Sequence, residues 1–478
     1  ILAQAWLKPA RKESRLSSTQ ENLTGMTSTQ SSAAKYTGVA VSDTEGQQKP
    51  AEGSGKEGSG ICTKILIGSV VCVLVLLVVG YFVIVNVVSG MAMDQFLKIN
   101  ETLAEEYCQG NWSIQNMTDN IWWPGCDQVW NGDFSNCEGT CIKTSTMRTM
   151  SAFNSKFGGK LVSYKSRRDA NSGPNPKPSP AKTKKLTGWL LLAPKHTATT
   201  PRIILQHGFT SNSNKHRTQF FAYQLRKIGF SVLVNNFRDH CYSDDTKERI
   251  NTWGHACPYD TLGAWDYAVK DPDNVFGGPI DDKYVGVMGF SKGGFTSASL
   301  FGLEGRVPAI WVDAPPFTPK TGFAIGLENT LAGMGLGFLS FIVDPVYNNM
   351  VEAANEVGVD INANTPADTL PQGPDTKRPI FWVANKDDTT VAYADGAKLL
   401  AVLEKYPKKY NVSKWHTEGA CNGNTHCEDH IRIPEQYEAK LCTFWTGVFR
   451  LKESTCGLEK KNEKEEKETK DEKEEKET

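Results

Sequence analysis

The sequence predicts an α/β protein with a mostly parallel central sheet, helices on both of its faces, and one transmembrane helix ahead of it. Two observations point there. From about residue 155, short runs rich in Val, Ile, Leu and Trp alternate with helical patterns, as in a parallel sheet buried on both sides. Residues 65–88, ILIGSVVCVLVLLVVGYFVIVNVV, are twenty-four residues without a charge. At 1.5 Å per residue they cross a hydrocarbon core of ~30 Å with some tilt. Charge nearly cancels over the 478 residues, 53 Lys+Arg against 54 Asp+Glu, so there is no electrostatic case for nucleic acid as a partner.

Along the chain, residues 1–64 are rich in Ser, Thr, Gly, Gln and Lys. They bury too little apolar surface to offset ordering entropy and read as a disordered tail. Some sixty polar residues ahead of the apolar run argue for an uncleaved signal anchor at 65–88 rather than a signal peptide. Lys49, Lys56 and Lys64 precede the span, whereas Asp94, Glu101, Glu105 and Glu106 crowd its far side, which puts the N-terminus in the cytosol. The N-glycosylation sequons at Asn100, Asn111, Asn116 and Asn411 all follow the span, as expected of a single-pass type II protein whose main part is lumenal or extracellular.

Residues 89–154, with four Trp and four Cys, read as a disulfide-tied, membrane-proximal stalk. Residues 155–458 hold the alternating strands and helices, and 459–478 form a charged tail with no apolar side chain. Ten of twelve cysteines follow the span, an even number suited to disulfides in an oxidising compartment. Spacing does not set connectivity. Pairing of near neighbours gives Cys241–Cys257, Cys421–Cys427 and Cys442–Cys456, with two bridges among Cys108, Cys126, Cys137 and Cys141.

The strands are expected at 160–169 and 186–194 as a pair, then 202–208, 230–237, 283–290, 308–315, 379–385 and 409–415. Helices are expected near 217–228, 260–270, from 292, and over 434–450. The chemistry starts at the end of the fifth of these strands, 283–290, where Gly289-Phe290-Ser291-Lys292-Gly293 reads G-x-S-x-G. A Val-rich strand before it and small residues after it are the context of a nucleophile elbow. Glycines two residues either side let strand and helix approach, and the serine is held at strained φ/ψ. The Lys292 backbone N–H, at the helix N-terminus, is placed to stabilise a developing oxyanion.

A serine hydroxyl needs a base, and in a strand–elbow–helix arrangement the acid and histidine follow the serine. Of eight histidines only His416, His426 and His430 do so. His416 ends the last strand, and His426 and His430 lie in the loop beyond it. His426 is preferred as the base, with His430 open. The acid is expected after the strand 379–385, where Asp387 and Asp388 both stand; Asp388 is preferred to orient the imidazole. The second oxyanion donor is expected from Gln206-His207-Gly208-Phe209, as the Phe209 N–H, with His207 orienting that loop.

With LTGWLLLAP, HGF, NFRDHCYS, WGHACPYDTLGAWDYA, GFSKGG and VANKDDTTV in this order, residues 160–450 resemble the α/β-hydrolase superfamily. They are most similar to its lipase, esterase and serine-aminopeptidase-like members. The resemblance implies an α/β-hydrolase fold with a helical lid insertion at about 317–375. Relatives carry G-x-x-D-x-x-V at the acid; Asn385 takes the glycine position and Asp388 the acid. The spacing of His426 from Tyr437 also matches. Two departures stand out: Cys241 replaces a common glycine in the R-x-H-G-x-S turn and Cys257 a common Glu, which favours their pairing. An apolar, Gly-rich lid at 322–343, interrupted by Glu328 and Asn329, points to a small-molecule or lipid-like acyl substrate.

The expected function is thus a membrane-anchored serine hydrolase cleaving an ester or amide by a Ser-His-Asp acyl-enzyme route, with no cofactor or metal. Two other classes fit the same fold, a serine peptidase of the aminopeptidase-like type and a non-catalytic binding or adhesion protein. The sequence assigns no oligomeric state.

Overall fold

The computed structural model describes residues 59–99, 159–170, 177–209, 211–213, 216–420 and 425–452. The chain divides into two compact units at Val70/Val71. Of the first, the described residues are the opening turns of helix α1, which runs Ser59–Ala92. α1 is long and apolar enough to cross a membrane over Ser69–Leu97. It is apolar all round. Its middle turns are exposed all round, Leu76 and Leu77 at 70% and 64%, whereas in its last turns Val85, Ser89 and Ala92 form a buried stripe.

The second unit is built on an eight-stranded sheet. Its strands are β1 (Lys160–Lys165), β2 (Lys185–Leu191), β3 (Arg202–Gln206), β4 (Ser231–Asn235), β5 (Val285–Phe290), β6 (Ile310–Asp313), β7 (Arg378–Asn385) and β8 (Tyr410–Thr417). They lie in the order β1-β2-β4-β3-β5-β6-β7-β8. β1 and β4 run antiparallel to β2, and every pairing from β4 to β8 is parallel. β3, β4, β5 and β6 are buried at every position, which is why they read as unbroken apolar runs without alternation.

Helices α2 (His216–Lys227), α3 (Cys257–Lys270), α4 (Lys292–Leu303), α7 (Tyr393–Lys405) and α8 (Pro434–Phe449) cover the sheet. Between β6 and β7 the chain inserts α5 (Pro319–Gly333) and α6 (Val343–Glu356), joined by a 3-10 turn at Gly337–Ile342. The apolar run at 322–343 is therefore not one helix. It breaks after Gly333, where Gly335 takes φ +75, a left-handed conformation that glycine adopts without a Cβ clash. α7 was not among the expected helices; it follows the acid loop and supplies Leu399, Leu400 and Leu403 to the core.

Two apolar clusters lie on opposite faces of the sheet. One gathers α3, α4 and α7 around Trp265 and Trp382, the other α2 and α8 around Trp311 and Trp445. Trp311 stacks on Phe381 at 4.0 Å and 3°, and its indole N–H donates to Tyr437 Oη at 3.0 Å, so its polar edge stays paired where water is excluded. Residues just beyond α1 join the body directly. Ile99 N–H donates to Arg249 O at 2.7 Å and Asn251 N–H to Leu97 O at 2.8 Å.

Two of the expected disulfides do not form. Cys257 and Cys427 are free buried thiols, while Cys241 and Cys442 are each disulfide-bonded. The reason is direction. Cys257 opens α3 and points inward to the Thr252 hydroxyl at 3.4 Å, and Cys427 points toward the His426 ring at 3.5 Å. Cys421 and Cys456, the four stalk cysteines, and Asn100, Asn111 and Asn116 lie outside the described residues.

Backbone proximity fixes several glycines. A Cβ on Gly263 of α3 would meet the Lys165 carbonyl of β1 at 2.2 Å, whereas one on Gly447 of α8 would meet nothing within 4 Å. Gly263→Ala is expected to cost about 1–3 kcal/mol of stability. Gly447→Ala should be neutral or add up to ~1 kcal/mol through helix propensity. Thermal or urea denaturation of the two variants checks the contrast.

Candidate active site

β5 and α4 cross with no room for a side chain between them. A Cβ on Gly289 would lie 2.2 Å from Gly293 O, and one on Gly293 would lie 2.5 Å from Gln206 O. Without those two side chains the strand, helix and β3 loop close on one another. The turn between them falls on Ser291, at φ 53 and ψ −126, a conformation an L-residue holds only when its surroundings enforce it. Ser291 N–H is tied to Asp313 O at 2.8 Å. Its side chain stands at the N-terminus of α4, at the carboxyl end of the sheet.

Lys292 is 1% exposed. Its ammonium is drawn away from the serine, donating to Asn251 Oδ1 at 2.7 Å and lying 5.0 Å from the Phe237 ring and 5.9 Å from Trp253. An amide oxygen and two ring faces thus hold a buried cation. This cage is not legible in the sequence, because Asn251 and Trp253 lie about forty residues before the elbow in an unpatterned loop.

The loop after β3 passes directly over the serine. A Cβ on Gly208 would be 3.3 Å from Ser291 Cβ, and Phe209 follows, stacked on Trp253 at 5.9 Å. His207 Nδ1 donates to Gly208 O at 2.9 Å. Burial pushes the His207 pKa down to about 3, so the ring is neutral and acts as a structural donor.

The structure brings Asp388 and His426 together. Asp388 Oδ2 lies 2.7 Å from His426 Nδ1, and its Oδ1 accepts from the Thr390 and Val391 N–H groups at 2.8 and 2.9 Å. The histidine loop is pinned by the Arg217–Glu428 ion pair and by Arg432 on Asp429 at 2.6 Å. With Nδ1 engaged, Nε2 faces Cys427 Sγ at 3.5 Å. That sulfur is 4.0 Å from Asp313 O, the same carbonyl that holds the Ser291 backbone. Serine and imidazole therefore converge on one point of the β6 end. Burial raises the Cys427 thiol pKa well above its ordinary value, so it stays an uncharged neighbour.

The other candidates point elsewhere. Asp387 Oδ2 accepts from Gly419 N–H at 2.8 Å. His430 is fully buried and stacked on Phe221 at 3.8 Å. His416 Nδ1 meets Tyr393 Oη at 2.9 Å.

Ser291 opens into a cavity of about 300 Å³, walled by Phe96, Phe209, Trp253, Phe323, Met350 and Val391 among others. The walls are apolar, with Asn329, Thr389 and Thr390 as their polar side chains. Phe96 was invisible in the sequence as a site residue. It comes from just beyond the apolar span, nearly two hundred residues before the serine.

Asp313, under the serine, is buried with its carboxyl bonded by Tyr437 Oη. Burial raises its pKa to about 8, and neighbouring Asp429 and Asp388 add to the rise. The folded chain thus holds a proton that the unfolded chain, with a pKa of ~3.9, releases. This contribution is full below pH ~4 and is lost as pH rises toward 8. Asp313→Asn is expected to flatten a fall in stability across that window of up to ~1.4 kcal/mol per pH unit, read from denaturation midpoints at several pH values.

A family model described as the alpha/beta hydrolase fold matches residues 201–338, from β3 through the serine turn into the insertion. No curated protein matches the chain. Among solved structures, an esterase from Pyrococcus furiosus is similar at 18% identity and a TM-score of 0.42, over 61% of this chain and 94% of that one. An acylaminoacyl peptidase from Pyrococcus horikoshii is similar at 14% identity and a TM-score of 0.39, over 60% of this chain and 40% of that one. A puromycin-hydrolyzing peptidase from Mycobacterium tuberculosis is similar at 13% and 0.38, over 66% and 41%.

Proposed function

From the alpha/beta hydrolase fold model matched over residues 201–338 and the sheet order, we propose that the chain is a membrane-anchored serine hydrolase of the α/β-hydrolase superfamily that cleaves a carboxylic ester through an acyl-enzyme. The observation that carries the reading is the strained Ser291 at the floor of an apolar cavity, one wall of which is the loop that follows Asp388, the carboxylate holding His426 Nδ1.

In this reading Ser291 Oγ attacks the substrate carbonyl carbon as its proton passes to His426 Nε2. The new O⁻ is bound by the Phe209 and Lys292 N–H groups. Asp388 fixes the ring tautomer and stabilises the imidazolium. The tetrahedral intermediate collapses, the alcohol leaves with the proton from Nε2, and an acyl-serine remains. Water, deprotonated by the same nitrogen, then releases the acid and restores the serine. The largely apolar wall favours an acyl group over a charged peptide terminus.

The anchor is α1, whose middle turns expose apolar side chains on every side, as a bilayer requires and water disfavours. Flanking charge orients it with the N-terminus cytosolic. Asn411 is exposed on β8, on the same side of the span as the other three sequons.

Ser291→Ala and His426→Ala are each expected to abolish fluorophosphonate labelling and to remove most of a ~10⁶-fold rate factor, because triad members act as a unit. Asp388→Asn should lower kcat by ~10⁴-fold, and Asp387→Asn should leave it within a few-fold. Labelling that survives Ser291→Ala would sink the mechanism. For topology, glycosidase treatment should lower the mass of the full chain, and an N-terminal tag should be digested from the outside of sealed microsomes. A protected tag would reverse the orientation.

A further inference from the structure

The last turns of α1 are packed into the insertion between β6 and β7. Val85 and Ala92 share a buried cluster with Phe323, Leu331 and Met350. The Tyr81 ring stacks on Phe341, centroids 6.2 Å apart. Asn349 Nδ2 donates to Ser89 Oγ at 3.1 Å. Just past the helix, Phe96 meets Phe323 edge-on at 5.3 Å, and both rings wall the cavity above Ser291. Gly326 makes that contact possible, since a Cβ there would lie 2.7 Å from the Phe96 ring.

The tip of the insertion is apolar and uncovered. Met334, Phe338 and Phe341 are 45%, 72% and 61% exposed, and no charged residue lies between Glu328 and Asp344. This patch is continuous with the exposed shell of α1, where Phe82 and Val87 are 59% and 58% exposed.

Depth follows from counting. The charge-free stretch runs from Ile65 to Met93. A spanning helix needs ~20 residues. Every such window drawn from that stretch contains residues 74–84, and so contains Tyr81. The ring stacked on Tyr81 therefore meets the hydrocarbon or its edge, whatever the exact register of the span. Large exposed apolar patches on a soluble surface are an aggregation hazard; at this depth the same patch is solvated by lipid.

We infer that the tip at 333–342 is seated in the leaflet into which α1 emerges, and that the cavity above Ser291 receives the acyl chain of an ester lipid resident in that leaflet. The inference rests on the membrane-anchored hydrolase reading above and names its substrate class. The chain enters between α5 and the end of α1, past Phe96 and Phe323, without crossing water. Ester hydrolysis then proceeds as described, water supplying the hydroxyl of the released fatty acid and the lipid alcohol keeping its oxygen.

The test uses the full chain in phosphatidylcholine vesicles carrying a pyrene-labelled diacylglycerol, with a water-soluble butyrate ester assayed in parallel. Phe338 lies outside the cavity wall, so Phe338→Asp should leave butyrate turnover within about twofold. A carboxylate at membrane depth is strongly disfavoured, so turnover of the vesicle ester should fall by at least about tenfold, and Phe338→Leu should restore it. Benzoylphenylalanine at position 338 should photocrosslink to vesicle lipid. Butyrate turnover with no lipid crosslink, or with equal losses on both esters, overturns the inference. So does vesicle-ester turnover that Phe338→Asp leaves unchanged. A lipid crosslink with no turnover of either ester and no fluorophosphonate labelling supports the seating of the tip but defeats the hydrolase reading and the substrate assignment that rests on it.

Discussion

The structure depends on one close approach, the crossing of β5 and α4 at Ser291. Neither Gly289 nor Gly293 has room for a Cβ, and the backbone between them is forced to positive φ. Strain of this kind persists only where its neighbours over-determine it. Here the neighbours are the Asp313 carbonyl, which holds the Ser291 N–H, and the Gly208 loop, packed on the serine's Cβ. The same crossing aims the first N–H groups of α4 at the space above the serine, where a helix N-terminus favours negative charge.

Around that point the protein buries polar groups while limiting free charge. His207 is held neutral by burial, and the Cys427 thiol is pushed toward its protonated form. The Lys292 ammonium sits on an amide oxygen between two aromatic faces. The Asp388–His426 pair is oriented by backbone N–H groups and loop ion pairs. In the proposed reaction, a site built this way needs little reorganisation when charge develops on the substrate oxygen.

The cavity joins three parts of the chain that are far apart in sequence. Its floor comes from the serine turn, its roof from α5 and α6, and one wall from Phe96 just past α1. The end of α1 and the insertion thereby share one wall of the cavity. A shift of α5 against the end of α1 alters the entrance to the site, because Phe323 and Phe96 are both packed there.

Much was legible in the sequence, for local reasons. Buried parallel strands are continuous apolar runs, so β3, β5, β6 and β7 stand out without any partner being known. G-x-S-x-G between a strand and a small-residue helix marks the turn, because steric closeness there forbids larger side chains. A charge-free run of bilayer length is equally self-evident. The choices left open between Asp387 and Asp388, and between His426 and His430, concern neighbours of the same chemistry. Only packing separates them: Asp388 faces the imidazole while Asp387 bonds Gly419, and His430 is stacked into the α2 core. Two of the thiol pairings, Cys241–Cys257 and Cys421–Cys427, failed likewise. Spacing says nothing of direction, and Cys257 and Cys427 point inward. What tertiary structure alone decided is whatever spans long sequence separations: the Lys292 cage, the proton-holding Asp313, and Phe96 in the cavity wall. Local pattern reports which face of an element is apolar; which distant element covers that face is set by how all of them pack at once.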